Sequence, residues 1–506
     1  MSNTVTELIE AGAAEAPALG APGRPELDYA GLRKLAAEVR GALNAAGIGR
    51  GDRLTMVLPN GPEMAAAFVA VAGAATTAPL NPAYTADEFA FYLDDLEARA
   101  LLVEAGSESP ALQVAAERRI PIIELRPQEG PAGRFTLSSA TGGEAAKPGP
   151  AGPDDVALVL HTSGTTSRPK LVPLSQRNVS ASAGHIGATL GLGPDDRCLN
   201  VMPLFHIHGL MAALLASLGA GASVHCAPGF NALSFFAWLA EVEATWYSAV
   251  PAMHQAILAR AGRNREIIAA HRLRFVRSSS SSLPPQVLAE LSAAFACPVV
   301  EAYGMTEAAH QMASNPVDRD RVKPGTVGLA AGPEVALMDA AGELLEAGQT
   351  GEIVIRGANV TAGYVANPKA NAEAFTNGWF RTGDQGWIDA DGYLTISGRL
   401  KEIINRGGEK ISPREVDEVL MDHPAVAQAV AFALPHDKLG EEVAAAVVLD
   451  EGATAIEAEL RDFVAGRLAA FKVPKRIVLL DEIPKGPTGK LQRIGLAGVL
   501  GMTEKD

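Results

Sequence analysis

Apolar residues recur along this chain in two alternating rhythms. Leu32, Leu35, Val39 and Leu43 fall at helical spacing and Gly47 follows as a helix stop, which predicts an amphipathic helix. LTMVL (Leu54 to Leu58) is a short continuous apolar run and predicts a buried strand, with GPEMAAAFVAVAGA as the helix after it. Further strands are predicted at ALLVE (Ala100 to Glu104), VALVL (Val156 to Leu160), SVHC (Ser223 to Cys226), RFVR (Arg274 to Arg277) and PVVEAYG (Pro298 to Gly304). Strands that alternate with helices imply crossover units, so the fold class is α/β with largely parallel sheets. The most apolar segment, GLMAALLASLGAGASVHC from Gly209 to Cys226, is broken by glycines. It falls short of the ~20 apolar residues needed to span a bilayer and predicts buried core.

The rhythm changes twice. From Pro127 to Asp155 it lapses into Gly, Pro, Ala and Ser, which predicts a surface connection. Past Pro324 closer strands with turn signals, GEIVIRG and DADGYLTISGR, predict a small antiparallel β subdomain. The last ~100 residues hold enough short elements for a small separate α+β domain. Within it ISPREVDEVLMDHP offers Ser412 as N-cap, Pro413 at the first helical position and Glu415 to complete a capping box. The expected division is a large domain over residues 1–400 and a small one over 401–506.

Composition narrows the function. With 506 residues, 48% hydrophobic and 20% charged, the chain has material for more than one core. A net charge of -15 repels polyanions and argues against a nucleic-acid partner. Cys198, Cys226 and Cys297 are scattered, which suggests neither a disulfide framework nor a zinc site. The opening MSNTVTELIEAGAAEAP lacks the basic and apolar regions of a signal peptide, and TEKD matches no retention or peroxisomal address, so the expected location is the cytoplasm without membrane insertion.

The candidate chemistry begins at HTSGTTSRPKLVPLSQRN, His161 to Asn178. It places small hydroxyl residues at the carboxyl end of a predicted strand, where parallel sheets bind ligands, and closes on Lys170. It is not a Walker loop: five residues after Gly164 stands Pro169, and Leu171 replaces the hydroxyl that would hold Mg2+.

Four further motifs follow in order: YGMTE (Tyr303 to Glu307), RTGD (Arg381 to Asp384), GRLKEIINRGGEKIS (Gly398 to Ser412) and PKGPTGK (Pro484 to Lys490). Together with TSGTTSRPK (Thr162 to Lys170), the set resembles the AMP-forming adenylating superfamily of acyl-CoA synthetases, luciferases and peptide-synthetase adenylation domains. The resemblance runs from the Leu32 helix to Lys490. It implies that a carboxylate is joined to the α-phosphate of ATP, with loss of pyrophosphate, before the CoA thiol displaces AMP. Such an attack of one anion on another needs cations and donors at the developing charge.

Residue by residue, the resemblance implies a nucleotide site of Thr162, Ser163, Gly164, Thr165, Thr166, Lys170, Glu301, Ala302, Tyr303, Gly304, Thr306, Asp384, Arg399 and Lys490. Thr306 and Glu307 match positions at the α-phosphate and at Mg2+, which suits one carboxylate plus phosphate oxygens. Asp384 and Arg399 match ribose contacts, and Lys490 the catalytic lysine. Lys401 matches the hinge, and Gly407, Gly408 and Lys410 lie on the loop offered to CoA.

The choice of acid is written in three polar clusters: His206 and His208 in PLFHIHGLMAALL, the serines Ser278 to Ser282 in FVRSSSSSLPP, and His310 in YGMTEAAHQMASNP. With ATWYSAVPAMHQ they resemble the oxalate-CoA ligase branch. The similarity implies that His310 and a serine near Ser280, with His208 beside them, hold the second carboxylate through neutral donors or a protonated histidine, and that His206 is a catalytic gate residue. LVP (Leu171 to Pro173) departs from the branch's glycine-containing run. Malonate or another short- or medium-chain acid is the alternative substrate. A thiol on a carrier protein is the alternative acceptor, and a monomer or homodimer is expected.

Overall fold

The computed structural model describes residues 2–139, 142–162, 169–484 and 493–502. They form two compact units.

The first unit gathers Met1–Thr162, Lys170–Val335 and Ile355–Phe380. Its larger sheet has nine strands among the described residues, with Val299–Met305, Phe275–Ser278, Trp246–Ala249, Arg197–Asn200 and Ser223–Cys226 side by side in its middle. These pair in parallel, while the edges turn antiparallel through His310–Ser314 and Arg24–Asp28. A seven-stranded sheet runs from Phe135–Ser139 to Lys170–Ser175 and is parallel through Arg53–Val57, Thr76–Pro79, Ala100–Glu104 and Val156–Thr162. The α/β class with largely parallel sheets is therefore what the chain adopts.

Local sequence explains most elements. The helix Tyr29–Ala45 buries Leu32, Leu35, Val39 and Leu43 and is capped by Ala46, with Gly47 following at φ +79°. The helix Pro62–Ala72 is apolar all round, and every residue except Glu63 is buried. The segment predicted as buried core holds a π-helix, His208–Leu215, with all eight residues buried. Wide helical turns of this kind concentrate at functional sites.

Two local expectations fail. The connection from Pro127 to Asp155 is not all loop: Phe135–Ser139 pairs antiparallel with Ile122–Pro127, using the alternation in FTLSS. The capping box at Ser412 is half made. Its hydroxyl accepts from Glu415 N, but the Glu415 carboxylate is taken by Lys472 Nζ at 2.7 Å, a full charge that outcompetes a backbone amide.

The second unit is built from Ala336–Val354 and Arg381–Asp506. In it Trp379–Ile388 continues into an antiparallel pairing with Leu394–Arg399 that sets Asp384 opposite Arg399. The C-terminal α+β portion has a long hairpin, Val426–His436 with Gly440–Leu449, and Arg476–Leu479 runs parallel to its second strand. Ile404, Val416, Leu420, Val443, Val447, Leu460 and Val464 form its core.

Candidate active site

The motif YGMTEAAH is a tight reversal. The strand Val299–Met305 leads into a single 3-10 turn, Thr306–Ala308, and the chain returns antiparallel through His310–Ser314 with Met305 opposite His310. Ala309 and His310 both have positive φ, +46° and +97°, a backbone conformation uncommon for non-glycine residues. Gly304 permits the reversal, because a Cβ there would lie 1.7 Å from the His310 carbonyl oxygen. Tyr303 and Thr306 are half-buried on this turn. Glu301 and Ala302 have structural partners: Glu301 Oε1 accepts from Leu283 N at 2.9 Å, and the Ala302 carbonyl from Ser279 Oγ at 2.8 Å.

Glu307 is buried, and its Oε1 accepts from the Tyr364 hydroxyl at 2.9 Å. Burial first, and then the neighbouring Glu307 charge, pushes the Tyr364 phenol upward, so it keeps the proton it donates to Glu307. Lys170 Nζ lies 4.5 Å from the centre of the same ring. Lys170 stands opposite Thr162 across the strand pair that flanks the hydroxyl loop. Lys170, Tyr364 and Glu307 thus form one line of contacts. A single held carboxylate fits Mg2+, which takes its remaining ligands from water and phosphate. Among the described residues no group of three or more His, Cys, Asp or Glu gathers as a metal cage. Ser163, Gly164, Thr165, Thr166 and Lys490 lie outside the described residues.

The polar clusters predicted for the acid meet. His208 Nδ1 is 2.9 Å from Ser280 Oγ, its Nε2 is 2.6 Å from Ser248 Oγ, and its ring stacks on that of His310 at 5.0 Å. Ser280 is also at positive φ, +73°, and is exposed, so two strained residues share one cluster. His206 is exposed, two residues ahead of His208, whose ring it influences electrostatically.

At the centre sits Arg277, which the sequence reading passed over. Its side chain is fully buried. Nη1 reaches Ser248 Oγ at 3.4 Å and His208 Nε2 at 3.5 Å, and Nη2 reaches His310 Nε2 at 3.2 Å and Gln311 Oε1 at 3.3 Å. Burial pushes Arg277 down to about 9, which leaves it charged at neutral pH. His208 and His310 are driven well below the usual imidazole range. For His208 the causes are burial first and then the neighbouring His310, Arg277, His254 and His206, and for His310 burial and then Arg277. In this fold both rings therefore favour the neutral form, and the cation among them is the guanidinium. The available signal was RFVR followed by serines, a charge at the inner end of a buried strand.

The second unit carries the remaining candidates. Asp384 is buried, with Arg399 Nε 3.3 Å from its Oδ1. Lys401 lies in an exposed turn. Gly407 and Gly408 form the two-residue turn between Ile404–Arg406 and Glu409–Ile411, at φ +58° and +98°, the angles a type I′ hairpin turn requires. Lys410 is exposed beside this turn, opposite Asn405. In the same unit Arg493 grips Asp417 with both Nη atoms at 3.1 and 2.5 Å, donates to the Ala431 carbonyl at 2.8 Å and approaches Glu402 at 3.3 Å.

Comparison with known proteins places these features. The family described as AMP-binding enzyme matches residues 10–365, and the AMP-binding enzyme C-terminal domain matches residues 415–490. The chain is 46% identical to an oxalate-CoA ligase of Arabidopsis thaliana over 97% of this chain and 98% of that one. It is 40% identical to an oxalate-CoA ligase of Saccharomyces cerevisiae over 90% and 88%. Among solved structures, ATP-bound MatB from Rhodopseudomonas palustris superposes with a TM-score of 0.88 at 31% identity, covering 99% of each chain. Among the described residues no helix is long and apolar enough to cross a membrane.

Proposed function

The chain belongs to the AMP-binding enzyme family, the AMP-forming acyl-CoA synthetases, and on that premise we propose that it is an oxalate-CoA ligase. The reaction would convert oxalate, ATP and CoA into oxalyl-CoA, AMP and pyrophosphate. The observation that carries this choice is the convergence of His208, Ser280 and His310 in one cluster, at positions that suit the second carboxylate of a short dianion. A long-chain acid would need an apolar tunnel there, and burying its tail against these donors would leave them unpaired.

In this reading Lys170 and the hydroxyl loop from Ser163 to Thr166 hold the outer phosphates, Thr306 donates at the α-phosphate, and Asp384 with Arg399 orients the ribose. Glu307, held by Tyr364, would be the protein's ligand to Mg2+, which when bound neutralises charge on the phosphates. Lys490 stabilises the charge that develops as the carboxylate oxygen attacks phosphorus and pyrophosphate departs. Residues 401–506 then turn about Lys401, and the Gly407–Lys410 loop presents the thiol, whose sulfur displaces AMP from the acyl carbon. His206 gates that approach. Cytoplasmic location belongs to the same proposal.

Pyrophosphate release with ATP and Mg2+, measured across oxalate, malonate, acetate, octanoate and coumarate with and without CoA, tests it. Oxalate no better than acetate or octanoate would sink the oxalate assignment, and malonate in front would establish the alternative. For Lys490→Ala, adenylation should collapse while thioester formation from supplied acyl-adenylate survives. Equal loss of both steps contradicts the two-stage scheme.

A further inference from the structure

Arg277 makes four polar contacts, and every acceptor is neutral: two imidazole nitrogens, a serine hydroxyl and an amide oxygen. Among the described residues its Nε has no hydrogen-bond partner. No Asp or Glu side chain among the described residues lies within ion-pair distance of it. A guanidinium carried wholly out of water is ordinarily matched by a carboxylate. Here the chain withholds that carboxylate from a group it has gone to some length to bury.

The geometry also assigns protons. A guanidinium can only donate, so the ring nitrogen that faces it must accept. Nη2 faces the Nε2 of His310; Ser248 Oγ, which accepts from Nη1, lies 2.6 Å from the Nε2 of His208 and donates its own proton there, hence each neutral ring carries its proton on Nδ1. The Nδ1–H of His208 then donates to Ser280 Oγ, whose own hydroxyl proton is left to point to the exposed side. Sheet register fixes the base of this arrangement, since Ser248 and Arg277 are paired across adjacent parallel strands.

We propose that Arg277 is the positioning residue of the acid pocket. It locks His208 and His310 as neutral Nδ1–H donors, and its unmatched positive charge is balanced by the distal carboxylate of a short dianionic acid. This rests on the dicarboxylate reading above. It adds a residue and a rule: the pocket selects for charge at the far end of the acid, through a cation that need not touch it.

Oxamate, in which an uncharged amide replaces the distal carboxylate, isolates that charge. Pyrophosphate release should show the wild-type protein favouring oxalate over oxamate. In Arg277→Gln, which keeps a donor but removes the charge, KM for oxalate should rise by roughly 100-fold, the scale of an opposite charge lost from a dry site. KM for ATP should stay unchanged, and KM for oxamate should move by less than about 3-fold, closing the gap between the two acids. Arg277→Lys keeps the charge and should retain the preference for oxalate, which covers the case that the glutamine variant does not fold. A glutamine variant that still discriminates between the acids as the wild type does would overturn the inference, as would a folded lysine variant that does not. A wild type indifferent to oxalate and acetate would instead bring down the dicarboxylate reading on which it stands.

Discussion

Arg277 and Arg493 are both drawn into the protein, one in each unit, and they differ in what balances them. Arg493 is gripped by Asp417 in a two-pronged pair, with Glu402 and a backbone carbonyl alongside. Arg277 meets only neutral acceptors. An internal cation whose counter-charge is supplied by the chain is architecture, because removing either partner strands the other. One whose counter-charge is missing is, on the proposal above, a place kept for a charge from outside. The difference teaches that burial alone does not tell the two arginines apart, whereas the identity of their acceptors does.

Stability measurements break the comparison most directly. Arg493→Met leaves the Asp417 carboxylate buried without its partner and should cost about 3–5 kcal/mol in urea unfolding of the second unit, and adding Asp417→Leu should recover most of it. Arg277→Gln should change unfolding by no more than about 1 kcal/mol, since no carboxylate is orphaned. Similar losses for both single variants would erase the distinction.

The next largest effect is on the acid. His310→Ala removes a donor that Arg277 positions, and KM for oxalate should rise about 10- to 100-fold while KM for ATP holds. Equal change in both constants would make His310 a general structural residue. Gly304→Ala reaches the same histidine through the backbone, because its new methyl would overlap the His310 carbonyl. A cost of about 1–3 kcal/mol is expected together with weakened use of oxalate, read by thermal unfolding and steady-state kinetics.

Acid sharpens the contrast further. His208 and His310, with His254 held down to about 4 chiefly by burial, are neutral in the fold and take up protons near pH 6.5 once unfolded. A depressed folded value means that their contribution is present above pH 6.5 and is lost as pH falls towards the folded value. Each should reduce unfolding free energy by about 1.4 kcal/mol per pH unit below pH 6.5, checked by denaturation midpoints at pH 7, 6 and 5. A midpoint that does not fall with pH would mean that the rings are already protonated. The smallest effect is expected at Tyr364→Phe, which removes one hydrogen bond to Glu307 and should raise the Mg2+ requirement about 5-fold.

Much of this was readable in advance because it is local. ALLVE is a strand with the predicted bounds, Ala100–Glu104, and the amphipathic spacing at Leu32 is a helix with the predicted face. His208, Ser280 and His310 were legible as polar residues inside apolar or small-residue runs, where a solvated side chain has no reason to be. Arg277 was not legible, since an arginine at a strand end is usually in water. Its burial is decided by a π-helix some seventy residues earlier and a strand some thirty residues later. Ser248 and Tyr364 were missed for the same reason: each acquires its role only from a partner distant in sequence. The strand Phe135–Ser139 escaped because it depends on an available edge at Ile122–Pro127 rather than on its own apolar content.

Arg277 lies on Phe275–Ser278, and the turn Thr306–Ala308 follows the neighbouring strand Val299–Met305; that separation bears on how such an enzyme could change diet. On the proposal above, substitution at one strand end would retune which acids are welcome while leaving in place the residues assigned to phosphate and metal. Preference and power can therefore drift apart in a lineage, and a laboratory seeking new acids has a single codon at which to begin.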